Sequence, residues 1–123
     1  MSDLCVRENL KKYGDTGSCP VRNTISRFSG KWGILVLCVI EDAPSIRFNA
    51  IGRVIPDISP KALAATLRTL EADGLVRREV FPEVPPRVEY RLTDKGLSLM
   101  PILRSLVAWA LANGSERGRE KSV

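Results

Sequence analysis

Residues 59–96 read SPKALAATLRTLEADGLVRREVFPEVPPRVEYRLTDKG, and the order of local signals in this stretch decides the fold. Ser59 is a good helix N-cap, and Pro60 sits at the first helical position, where no amide hydrogen is needed. Leu63, Leu67 and Leu70 recur at helical spacing up to about Asp73, where Gly74 is placed to stop the helix. Leu75 to Phe81 and Arg87 to Leu92 read as two strands joined by Pro82-Glu83-Val84-Pro85-Pro86, and Val88, Tyr90 and Leu92 alternate cleanly. Thr93 caps a last helix, with Asp94 in its first turn, where negative charge suits the helix dipole.

Upstream, residues 1–18 read as a polar arm with a short helix expected near Leu4 to Lys12, and the ordered domain is expected to begin near Cys19. Pro20 opens a helix whose apolar stripe is Val21, Thr24, Ile25 and Phe28, ended by Ser29-Gly30. Lys31 to Asp42 is apolar nearly all round, which predicts a helix at the buried centre. After Pro44 come a brief extended piece at Ile46 to Phe48 and a short amphipathic helix carrying Phe48, Ile51, Val54 and Ile55, terminated by Pro56-Asp57. The last helix runs to about Ala112 and has two apolar sets, one of Leu99, Ile102, Leu106 and Trp109, the other of Met100, Leu103, Val107 and Ala110. That stripe is wider than one core contact uses, and the surplus predicts a partner surface. Pro101 lies inside it and is expected to kink or loosen the helix near Leu97.

The organisation is therefore an arm (1–18), one domain (19–112) and a charged tail (113–123). Two helices joined by a tight turn and followed by a two-stranded ribbon make a winged helix-turn-helix, an α+β fold that is mostly helical. The alternative on pattern alone is an unrelated α+β domain.

Composition narrows the function. A chain of 123 residues supports one core, and 44% apolar with 27% charged residues is ordinary for a globular protein. The longest apolar run, Gly33 to Ile40, is too short to span a bilayer. Asp3, Arg7, Glu8, Lys11 and Lys12 interrupt the place of a signal peptide, so no membrane and a cytoplasmic location are expected. Three widely spaced cysteines and no histidine argue against a zinc site, a disulfide framework and a Ser-His or Cys-His nucleophile. No catalytic residues, metal or cofactor are expected, and the chain does not read as an enzyme. A net charge of +5 permits a polyanionic partner.

On the helix from Ser59, Lys61, Ala65 and Arg68 fall opposite the leucines, flanked by Ala64. Lys61 and Arg68 can reach guanine edges or phosphates, Ser59 and its neighbouring amides suit a phosphate, and Ala64 and Ala65 permit close approach or touch a thymine methyl. A solvated amphipathic helix would carry the same residues. The ribbon adds Arg77, Arg78, Arg87 and Arg91 beside Glu79, Glu83 and Glu89. Some of these arginines belong to cross-strand ion pairs, and Arg87 is the best candidate for a DNA contact. Cys19 should lie at a helix start, where free amides favour a thiolate. It is either a sensor thiol or a small capping or interface residue. Cys38 reads as core filling, and Cys5 is incidental or a resolving thiol.

Cys19-Pro20-Val21, Gly30-Lys31-Trp32, Arg47-Phe48, Ile58-Ser59 followed by Lys61 and Leu63, LRTLEADGL from Leu67 to Leu75, and FPEVPPRVEYRLTDKG from Phe81 to Gly96 closely resemble the HxlR family of winged-helix regulators. The resemblance covers nearly everything from Cys19 to Trp109. It implies a homodimer that binds double-stranded operator DNA as a transcription regulator, a repressor in the leading reading. The second helix of the motif would enter the major groove and the wing would lie on the flanking backbone. It also implies that the terminal helices make the dimer through Val21, Ile25, Leu99, Ile102, Leu106 and Trp109, and that the Cys-Pro pair senses quinones, aldehydes or disulfide stress. This chain departs from the family at Pro60, Ala64 and Ala65, where members commonly carry polar residues, so no particular operator carries over. A cavity between the dimer helices could take a small effector that no residue identifies. The alternative function is a protein-interaction module without specific DNA binding.

Overall fold

The computed structural model describes residues 20–114 together with Glu8, Lys11 and Lys12. Cys5, Cys19, the rest of the arm and the tail beyond Gly114 lie outside the described residues. The elements are α1 (Pro20–Phe28), α2 (Gly33–Glu41), β1 (Ile46–Arg47), α3 (Phe48–Val54), α4 (Pro60–Ala72), β2 (Val76–Phe81), β3 (Arg87–Leu92) and α5 (Asp94–Asn113). These boundaries fall within one or two residues of those expected from the caps and breakers.

The caps work as the sequence predicts. The Ser59 hydroxyl oxygen accepts from the Ala62 amide at 3.0 Å, with Pro60 in the first turn. At the other end of α4, Gly74 adopts φ 77°, which side chains avoid. Its amide donates to the Glu71 carbonyl at 3.0 Å and the Leu75 amide to the Leu70 carbonyl at 3.0 Å, closing a Schellman turn over the buried pair Leu70 and Leu75. Thr93 then joins three elements. Its hydroxyl oxygen accepts from the Gly96 amide at 3.1 Å to cap α5, the hydroxyl donates to the Gly74 carbonyl, and its own amide donates to the Leu75 carbonyl at 3.1 Å. Lys95 Nζ adds a bond to the Asp73 carbonyl at 2.7 Å. The end of α4 and the start of α5 are thus tied directly.

The core is one cluster. Val36, Leu37 and Ile40 of α2, Leu63, Leu67 and Leu70 of α4, and Met100 and Leu103 of α5 are all sealed from solvent, with Ile51, Val76 and Tyr90 around them. Fully burying side chains of this size stabilises the fold by roughly 1.5–3 kcal/mol each, so this cluster outweighs any surface ion pair.

The structure refines four expectations. The ribbon is part of a three-stranded sheet in the order β1-β3-β2, because β1 pairs antiparallel with the free edge of β3 through Ile46↔Tyr90 and Arg47↔Glu89. The α2 helix is not buried all round, since Leu35 is 48% exposed where α5 packs against only part of its circumference. Of the two apolar sets on α5, Met100 and Leu103 go to the core, whereas Ile102, Leu106 and Trp109 stay 66%, 48% and 64% exposed. Leu99 belongs with the core side, half-buried against it. Finally, α5 continues as one helix from Asp94 to Asn113 with Pro101 inside it, where proline has no amide to donate to the Leu97 carbonyl.

Candidate nucleic-acid interface

The face of α4 turned away from the core carries the residues picked out from the sequence. Lys61, Ala65 and Arg68 are exposed, Ala64 is half-buried, and Ser59 and Pro60 are exposed at the start. Among the described residues, Lys61 and Arg68 have no ion-pair partner, so neither is neutralised by the fold. Ser59 spends an acceptor lone pair on its cap and keeps its proton to donate. Thr66 and Thr69 return their hydroxyls to the Ala62 and Ala65 carbonyls at 2.8 and 3.1 Å, which leaves small, smooth surface beside Ala65. Such a surface can approach a groove closely, with charge at both ends.

The ribbon divides by face. The antiparallel register sets Arg77 opposite Arg91, Glu79 opposite Glu89, and Phe81 opposite Arg87. Like charges directly opposite repel, and the diagonal neighbours relieve this. Arg91 Nε reaches Glu79 Oε1 at 2.8 Å. Arg87 lies 3.2 Å from Glu83 and 3.5 Å from Glu89, and its guanidinium carbon stacks 4.1 Å from the Phe81 ring centre. Its side chain is 31% exposed, and its Nε, though near Glu89, makes no hydrogen bond. Arg87 is therefore held by the ribbon, and a phosphate would have to share it with two carboxylates. Arg77 and Arg78 are exposed and have no ion-pair partner among the described residues.

Three further cations border this surface, none of them a DNA-contact candidate from the sequence. Arg47 and Arg53 line a recess with Asn49, Pro86 and Arg87, created when β1 docks on β3. Lys31 lines another with Ala65, Thr66 and Thr69, its ammonium 4.9 Å from the centre of the Trp32 ring. The long-range β1–β3 pairing brings Arg47 and Arg53 beside Arg87 of the ribbon, whereas Lys31 lies next to α4 itself. Arg27, by contrast, pairs with Asp73 at 3.3 Å.

Cys38, the one cysteine among the described residues, is half-buried. Burial, reinforced by the carboxylates of Glu41 and Asp42 and opposed by Arg104, pushes its thiol up. It stays protonated at neutral pH and is a poor nucleophile.

The comparisons agree with this geometry. The HxlR-like helix-turn-helix family matches residues 28–117. An uncharacterised HTH-type transcriptional regulator of Methanothermobacter thermautotrophicus is 50% identical over 99 residues, covering 80% of this chain and 75% of the relative. Another, from Halalkalibacterium halodurans, is 44% identical over 113 residues, covering 92% of this chain and 97% of the relative. Among solved structures, the redox regulator HypR in its oxidised form superposes with a TM-score of 0.72 at 42% identity, covering 77% of this chain and 97% of HypR. With an exposed cationic helix behind a tight turn, a wing beside it and matches of this extent, the chain belongs to the HxlR-like helix-turn-helix family of transcription regulators.

Proposed function

We propose that the protein is a homodimeric repressor that recognises operator DNA through α4 and responds to electrophiles or oxidants through Cys19. The observation that carries the DNA reading is the unpaired, exposed pair Lys61 and Arg68 on the face of α4 opposite its buried leucines. Ser59, Pro60, Ala64 and Ala65 complete the contact, and Arg77, Arg78 and Arg47 extend it along the backbone with Arg87. Alanines at the centre of the face leave sequence preference to Arg68, Lys61 and DNA shape.

The dimer reading rests on apolar surface. Ile102, Leu106 and Trp109 of α5 and Val21 and Ile25 of α1 are all exposed. By length and composition alone α5 could span a bilayer. Yet Arg104 near its middle pairs with Glu41 of α2, and Met100 and Leu103 are locked in the domain core, so the exposed side fits a second copy of the chain and not lipid. A dimer of this kind reads pseudo-palindromic half-sites about one helical turn apart. The sensor reading rests on the sequence position of Cys19 immediately before the first residue of α1 and on likeness to a redox regulator.

The test is a gel-shift titration on DNA from the protein's own promoter region. Arg68→Ala is expected to cost roughly 1–3 kcal/mol of specific binding, and Lys61→Ala to weaken binding and lower the salt slope by about one. Unchanged affinity in both variants would overturn the assignment of α4. Binding without sequence preference and with steep salt dependence would favour a protein-interaction module.

Quinone treatment is expected to release the wild-type protein from DNA and to leave Cys19→Ser bound. Equal release from both rules Cys19 out as the sensor.

A further inference from the structure

A cleft of about 610 Å³ opens between α2, the end of α3 and α5. Its walls are Trp32, Leu35, Val39, Val54, Val107 and Leu111. That volume and an apolar lining with few polar groups are typical of a site for a small molecule.

The polar groups at its rim are lopsided in charge. They comprise three carboxylates, Glu41, Asp42 and Asp57, and one cation, Arg104. Arg104 is committed to Glu41. Asp42 and Asp57 have no ion-pair or hydrogen-bond partner for their carboxylates among the described residues. Both follow helix ends. Asp42 is the C-cap of α2, and Asp57 lies just beyond Ile55, the C-cap of α3. The carbonyl end of a helix favours a cation within the last turn, so two helix termini add to the two free carboxylates. An acidic apolar cleft is the opposite of what a chain with net charge +5 presents elsewhere.

The cleft is also separate from the surface proposed for the second copy. At about 100° per residue, Leu111 lies some 140° to 200° round α5 from Ile102, Leu106 and Trp109. The two apolar surfaces flank opposite sides of the buried Met100–Leu103 face.

We propose that this cleft binds a lipophilic cation, an aromatic or alkyl group bearing a quaternary or protonated centre, whose apolar body fills the space between Leu35, Val54 and Leu111 and whose charge sits against Asp42 and Asp57. Because the cleft touches α2, α3 and the helix proposed for the dimer, occupancy would alter operator affinity. That consequence rests on the DNA-binding reading, whereas the ligand chemistry does not.

The test uses two probes of the same shape and opposite charge, tetraphenylphosphonium and tetraphenylborate, titrated calorimetrically into the full-length protein without DNA. The phosphonium is expected to bind one site per chain, and the borate at least about tenfold more weakly, although overall charge favours the borate. Asp42→Asn with Asp57→Asn should weaken phosphonium binding at least about tenfold with an unchanged melting temperature. Equal affinity for both ions, full phosphonium affinity in the double variant, or no phosphonium binding because a second copy fills the cleft would each overturn the proposal. A gel shift run in parallel separates the two readings, since DNA can still bind if the phosphonium does not.

Discussion

Gly96→Ala is expected to destabilise the domain by roughly 3–5 kcal/mol, an effect usually reserved for core cavities or buried charges. An ordinary glycine inside a helix would behave in the opposite way, because alanine gains about 1 kcal/mol there in helix propensity. Gly96 differs because its α-carbon lies against the Leu75 backbone. A methyl group would overlap the Leu75 carbonyl and come within 3.3 Å of Leu92 Cδ2. That carbonyl cannot give way cheaply, since it already accepts from the Thr93 amide. Nor can α5 retreat, as Met100 and Leu103 further along it are fully packed. Urea unfolding should show a lower midpoint with an unchanged slope. Gly52→Ala is the control, because there the added carbon meets only Leu63 Cδ2 at 3.8 Å. It should be neutral or stabilising, and a Gly96→Ala loss below about 0.5 kcal/mol would mean that α5 is not seated against the Leu75 backbone.

Leu106→Glu is expected to turn the proposed dimer into a monomer while leaving each domain folded. Leu106 lies between Ile102 and Trp109 on the exposed side of α5, where a carboxylate remains in water as long as the chain is alone. In a two-fold interface the same substitution appears twice, so two unpaired charges would be desolvated at once. Each costs roughly 3–5 kcal/mol, and even one such penalty raises the dissociation constant by more than about a hundredfold. Sedimentation equilibrium should then give the 13.6 kDa chain mass in place of twice that value. Affinity for a two-half-site operator should fall with it, whereas a wild-type protein that already sediments as a monomer would sink the interface.

Why some features were legible in the sequence and others were not follows from the range of the interactions. Ser59-Pro60, Gly74 and Thr93 act through neighbours three to five residues away, so the limits of α4 and the start of α5 could be read directly. The leucines of α4 found the core for the same reason. The pairing of Arg47 with Glu89 spans more than forty residues and is not written in any local period. It decides that the wing has a third strand and that Arg47 lies beside Arg87. From the sequence Arg87 reads as the best candidate for a DNA contact, but Glu83, Glu89 and Phe81 surround it in the folded ribbon. Leu35 shows a similar limit. A helix apolar on every side reads as central, and only the placement of α5 reveals which side is left uncovered.

The junction at Thr93 has a mechanical consequence. Through Thr93 to Gly74 and Lys95 to Asp73, the far end of α4 is tied to the root of α5, so a rotation of α5 would be passed on to α4. α4 has 13 residues and is therefore about 20 Å long. Tilting α4 about 10° at this tie swings the Lys61 end by about 3.5 Å, close to the step between successive base pairs. In the proposed dimer, a change of angle of this size in each subunit would put both Lys61 ends a whole rung out of phase with their half-sites.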